Sequence, residues 1–238
     1  MKLIKYLIGA SILLTACGQG KKPASEENTA EPAEKVKAVC INTTDAVQEK
    51  PEKDAKYLSS LMLGEVMDYL GETVSDTAER VREYYHVELS DGSQVWARTY
   101  GVLLNAYPAA VMHTTPIYKR PELVTKTDKT FNALEFVAVT NEKDEWVEVT
   151  GKDHHKSGWI KKDDISTQTE DVAVSTLAEK EILGKDGDVK MDKVSSFLET
   201  LPYKDSRLVD YLQAKLTEDV GDSVQDSIQS YEDDKDMN

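Results

Sequence analysis

Cys17 and Cys40 are the two cysteines of this chain, and His86, His113, His154 and His155 are its four histidines. Thiols and imidazoles make metal sites or Cys–His nucleophiles only where spacing brings them together. His154 and His155 stand side by side in a turn next to Asp153, and neighbouring side chains on an extended chain diverge. No Cys–His pair brackets a strand that could carry a nucleophile. No catalytic residue, metal ligand or cofactor is expected, and the chain does not read as an enzyme. Cys40 reads as a small buried hydrophobe, a reactive or intermolecular thiol being the alternative. The chemistry that remains is recognition by flat rings, carried by Tyr84, His86, Trp96, Tyr118, Trp146 and Trp159.

Cys17 has a different setting. Lys2 and Lys5 precede an apolar run from Leu7 to Leu14 that is far too short to span a bilayer, which takes about 20 residues. A charged start, a short apolar middle and small residues describe an export leader. Leu14-Thr15-Ala16-Cys17 resembles the lipobox of bacterial lipoproteins. The resemblance implies cleavage before Cys17, acylation of Cys17 and attachment to the cell envelope by more than one acyl chain, which holds firmly where one chain does not. It also implies the outer membrane in a two-membrane bacterium, since Gly18 rather than Asp follows the cysteine. Lys21 to Lys37, rich in Lys, Glu, Pro and Ala, packs no core and reads as a disordered tether. About twenty such residues reach roughly 25 Å on average.

Charge narrows the partners. The chain has 29 Lys and Arg against 44 Asp and Glu; loss of Lys2 and Lys5 with the leader leaves 27 against 44, a charge of about −17. Such a surface repels phosphate backbones, so nucleic acid is not an expected partner. If Cys17 carries lipid, Cys40 has no disulfide partner within the chain.

Between these features lies a repeat. Residues 51–72 and 121–142 align without a gap at a shift of 70, with five identities: Pro51/Pro121, Glu52/Glu122, Lys56/Lys126, Glu65/Glu135 and Glu72/Glu142. Thr43-Thr44 answers Thr114-Thr115 upstream, and residues 84–97 answer 146–160 downstream. Each copy reads as several short strands, with Ser90-Asp91-Gly92 as a hairpin turn in the first and Gly151-Lys152-Asp153 opening the matching loop in the second. Thr73 to Arg82, present only in the first copy, reads as a long loop or a helical turn.

The copies resemble the bacterial SH3-like (SH3b) domain. The carrying motifs are Leu63-Gly64-Glu65, Tyr84-Tyr85-His86-Val87 and Val95-Trp96-Ala97 in the first, and Ala133-Leu134-Glu135, Trp146-Val147-Glu148-Val149 and Gly158-Trp159-Ile160 in the second. Leu134 replaces the first glycine of the pattern and Val95 the second. The resemblance implies two small SH3-like β-barrels, and binding of a peptide, a cell-wall (peptidoglycan) fragment or an envelope protein. Strand parity adds a physical argument: Val149 and Ile160 should face the core, which sends Trp146 and Trp159 to the opposite face. The same parity sets Tyr84 and His86 opposite Tyr85 and Val87, and Trp96 opposite Ala97. These rings, with Tyr118, are the candidate ligand contacts; mutual burial of the rings as structural cover is the alternative.

After Asp171 the period changes. Val174 to Leu183, Met191 to Leu201 and Leu208 to Leu216 show helical spacing, with Gly184 and Pro202 as breaks. Lys185 to Asp192 resembles half of an EF-hand loop, but Ile182, Gly184 and Lys193 stand where ligands are needed, so a turn is expected there. The end holds eight acidic residues and one Lys from Thr217 onward. The expected organisation is a leader (1–16), lipid anchor and tether (17–37), SH3-like repeats (38–106 and 107–166), a helical region (167–217) and an acidic disordered tail (218–238). The chain thus reads as mainly β with an α tail: a lipid-anchored envelope binding protein, or else an accessory module of an envelope enzyme or a scaffold for protein partners.

Overall fold

Short runs in which every second residue is apolar bury one face of a strand and leave the other free, and they set the fold here. The computed structural model describes residues 35–218. The expected leader, the acylation position Cys17, the tether up to residue 34 and the tail from residue 219 lie outside the described residues. The first sheet comprises β1 (Val36–Cys40), β2 (Thr44–Gln48), β3 (Tyr57–Met62), β4 (Val66–Asp76), β5 (Arg82–Glu88), β6 (Gln94–Arg98) and β7 (Val102–Leu104). The second comprises β8 (Tyr107–Val111), β9 (Thr115–Tyr118), β10 (Lys126–Phe131), β11 (Phe136–Lys143), β12 (Trp146–Gly151), β13 (Ser157–Lys161) and β14 (Ile165–Ser166). Their orders are β3-β2-β6-β5-β4-β1-β7 and β10-β9-β13-β12-β11-β8-β14, the same arrangement twice. The paired strands run antiparallel in both.

The shared Glu has a shared task. Gly64 (φ 80°) and Leu134 (φ 76°) both adopt the left-handed conformation at the turn entering β4 and β11. Gly64 N donates to Cys40 O at 2.8 Å, and Leu134 N donates to Val111 O at 2.9 Å. The next residue caps each turn: Glu65 Oε2 accepts from Met62 N at 2.9 Å, and Glu135 Oε2 from Asn132 N at 3.3 Å. A leucine in this conformation costs about 1–2 kcal/mol. Leu134 offsets that by complete burial among the helices. Gly64 has no such freedom, because a Cβ there would sit 2.9 Å from Thr176 Cγ2.

Three helices follow: α1 (Thr169–Glu181), α2 (Met191–Thr200) and α3 (207–218). Val174, Ala178, Ile182, Val194, Phe197, Leu208 and Leu212 bury against one another and against Ala110 and Leu134 of the second sheet. α1 begins several residues ahead of its first buried valine because Asp171 is itself buried. Its carboxylate accepts from Ser166 Oγ (2.6 Å), Ser206 Oγ (2.8 Å), Arg207 N (3.1 Å) and Arg207 Nη2 (2.9 Å). One side chain thereby ties the end of the second sheet to the start of α3.

The sheets share a core formed by Val39, Ile41, Ala106, Phe136 and Ala138. The 152–155 turn of the second copy docks on the first: Asp153 N donates to Ile41 O at 2.8 Å, and Asp153 Oδ1 accepts from Thr43 N at 3.1 Å. His154 Nε2 donates to Tyr100 O at 2.7 Å. Asp153 (φ 51°) and His154 (φ 56°) hold left-handed conformations to make this contact. Two expectations are corrected. Thr73 to Arg82 is neither a long loop nor a helical turn: β4 runs to Asp76 and β5 begins at Arg82, so the insertion lengthens a hairpin. β1 begins at Val36, two residues inside the stretch read as tether.

Candidate functional site: the outer aromatic faces

Strand register places four of the six candidate residues on corresponding positions of the two sheets, Tyr84 with Trp146 and Trp96 with Trp159, while Glu148 answers His86 and Gln48 answers Tyr118. In the first, Tyr84 lies opposite Arg98, His86 opposite Trp96, and Gln48 opposite Trp96 on its other side. In the second, Trp146 lies opposite Lys161, Glu148 opposite Trp159, and Tyr118 opposite Trp159 on its other side. The core sits on the reverse face, where Val87, Val95 and Ala97 pack in one copy and Val147, Val149 and Ile160 in the other.

The two faces are finished differently. In the second copy the rings cover each other: Tyr118 and Trp146 meet edge to face with centroids 4.8 Å apart, and Trp159 completes the cluster. Trp146 is 5% exposed and Trp159 9%. Lys161 Nζ lies 3.8 Å above the Trp146 ring and pairs with Glu145 at 2.6 Å. Beside the cluster runs an open groove of about 380 Å³ lined by Tyr118, Lys119, Thr140, Glu148, Gly158 and Trp159. Gly158 (φ 147°) is among the lining residues, and a Cβ there would lie 2.5 Å from Ile117 Cγ2 and 2.8 Å from Tyr118 O. The glycine of the Gly-Trp motif is needed because Ile117 and Tyr118 of the neighbouring strand β9 crowd the space a Cβ would take.

In the first copy His86 and Trp96 stack face to face, centroids 4.5 Å apart and planes 7° from parallel. Both are partly exposed, and His86 Nδ1 lies 3.4 Å from Glu72 Oε2. Gln48 gives its Nε2 to Lys53 O at 3.2 Å, while its buried Oε1 has no hydrogen-bond partner among the described residues. Tyr84 is fully buried, so its ring offers no open surface. It lies near Asp54, Asp76, Arg82 and Arg98, and burial raises its phenol above the ordinary range. The 49–56 segment is tied down by Lys53 N donating to Asp76 Oδ2 at 3.0 Å and by Lys53 Nζ to Glu79 at 2.6 Å.

The other chemistry-bearing residues serve the fold. Cys40 is buried, and desolvation pushes its thiol up to about 12, out of the reactive range. His113 Nε2 meets Asp164 Oδ1 at 2.7 Å, with Thr115 donating to the other oxygen of Asp164. Among the described residues, no group of three His, Cys, Asp or Glu side chains is placed to hold a metal ion, and no helix is long and apolar enough to cross a membrane. Two charged pairs were missed by sequence reasoning. Lys156–Glu135 (2.6 Å) joins two turns of the second copy and Lys152–Glu179 (2.7 Å) ties α1 to it, while Asn132 Nδ2 donating to Asp186 O at 3.2 Å holds the 184–187 turn beside them. Burial raises the Glu135 carboxyl against the pull of Lys156. The identity of Glu65 and Glu135 across the repeat was the available signal for one of them.

No family model and no curated protein matches the chain. Among solved structures, NlpC1 from Trichomonas vaginalis is 12% identical with a TM-score of 0.26, covering 59% of this chain and 48% of its own. NlpC2 from Trichomonas vaginalis is 13% identical with a TM-score of 0.25, covering 70% of this chain and 55% of its own. The chain thus spans about half the length of these two structures, and similarity at this level assigns neither a family nor an activity.

Proposed function

We propose that residues 38–166 are two SH3-like modules that act by binding, in a protein attached to the bacterial cell envelope through acylated Cys17. The ligand is a peptide, a cell-wall fragment or an envelope protein. The observation that carries the reading is the register: in each sheet a tryptophan, Trp96 or Trp159, stands at the same position on the face turned away from the core. A flat ring gives large contact area at small entropic cost. The partly open His86–Trp96 stack is the better platform. The groove at Trp159 is the second contact. Retention of the purified chain on insoluble peptidoglycan, run beside a cleavage assay, tests this. Retention without cleavage that falls in Trp96→Ala supports binding; cleavage lost on changing one polar residue supports an enzyme.

Scaffolding is the second reading, and the burial of Trp146 and Trp159 favours it for the second copy. On that reading Trp146→Ala and Trp159→Ala unfold the protein instead of weakening binding alone.

A further inference from the structure

Met62 ends the edge strand β3 and opens a hollow whose lining includes none of the candidate rings. With Leu63 it walls one side of a hollow of about 170 Å³. Thr176 and Leu177 of α1 line it too, with Lys152, Glu179 and Lys180 as its charged members. A cavity of about 150 Å³ with apolar walls admits a benzene-sized group. This hollow therefore has room for one side chain the size of Leu or Phe.

The charges around it are unbalanced. Glu179 is taken up by Lys152 at 2.7 Å and by the N–H of Phe136 at 3.2 Å. Lys180 is exposed and makes no ion pair among the described residues. A carboxylate beside the apolar group would complement it, a local attraction on a chain that is otherwise strongly acidic.

Short of its last residue, whose N–H and C=O are taken by Glu65, the strand that leads to the hollow is unguarded. β3 is the last strand of its sheet, and Tyr57 to Met62 holds no charge. Its counterpart β10 occupies the equivalent edge and carries Lys126, Asp128 and Lys129. Charges of that kind block strand addition at an edge. Tyr57, Leu58 and Met62 are moreover among the exposed large hydrophobic residues.

We propose that β3 and the hollow at Met62 bind an extended peptide ending in an apolar residue with a free carboxylate. The peptide adds to β3 as a further strand, its last side chain enters the hollow, and its carboxylate meets the Lys180 ammonium. The hollow shares no lining residue with the aromatic faces, and the proposal stands whether or not they bind.

The test is fluorescence anisotropy of a labelled hexapeptide, Ser-Val-Thr-Val-Thr-Phe, titrated with the full chain. The acid form should bind saturably. Amidating its C-terminus should weaken binding about threefold or more, the size of a partly exposed ion pair. Lys180→Glu should weaken the acid form similarly and leave the amide form unchanged. Replacing the final Phe by Ala should cost about tenfold or more. Met62→Lys, at an exposed position, should weaken both forms with an unchanged circular dichroism spectrum. The proposal is overturned if no saturable binding is seen, if acid and amide bind alike, or if Lys180→Glu weakens both forms equally.

Discussion

Asp171→Ala should be among the most damaging single changes outside the apolar core. The side chain is 1% exposed and holds Ser166, Ser206 and Arg207 at 2.6–3.2 Å. Removing one partner of a buried ion pair costs about 3–5 kcal/mol. Arg207 is 56% exposed and regains water when released, which draws the estimate to the lower end, about 3 kcal/mol. For a domain of this size that is a fall in Tm of roughly 6–12 °C. The effect has a pH signature. Burial pushes the Asp171 carboxyl upward, but hydrogen bonds from Ser166, Ser206 and Arg207 outweigh it and hold the carboxyl below its ordinary value. A depressed carboxylate contributes its full stability above the unfolded value of about 3.9 and loses it as pH falls through the folded value. Urea melts followed by circular dichroism should show a constant gap between wild type and variant at pH 5–7 that narrows below about pH 4. A gap under about 1 kcal/mol at pH 7, or one that persists unchanged to pH 2.5, would refute the reasoning.

Other outcomes follow from the same geometry. Gly158→Ala forces a Cβ to within 2.8 Å of Tyr118 O and strains a positive φ, so urea melts should show a loss of about 2–4 kcal/mol; near-neutrality would mean β9 does not approach as described. Cys40 should resist iodoacetamide at pH 8 in the native protein and react once urea unfolds it, read by peptide mass mapping, because burial pushes its thiol up to about 12.

Much of this was legible in the residues, and the gaps have physical causes. Val147/Val149 against Trp146/Glu148 is a two-residue period, so parity alone placed the tryptophans on the face away from the core. Parity says nothing of what lies above a face. Tyr84 is buried beside Asp54 and Asp76, which come from segments more than twenty positions apart that Lys53 joins. The start of α1 was missed because Glu170 and Asp171 look solvated, and only the distant Ser206 and Arg207 explain a buried Asp171. Leu134 shows the opposite case: the sequence departs from the glycine pattern, yet the backbone conformation is kept, since helix packing outweighs the local strain.

The most direct test of the account is an NMR titration of the chain with soluble muropeptides, following the three tryptophan indole N–H signals. Binding at the shared face predicts saturable shifts of Trp96 and Trp159, Trp96 the larger, with the amide of Leu208 in the helical core unmoved. Shifts confined to residues remote from both rings, or none at saturating concentration with muropeptides and peptides alike, would contradict it.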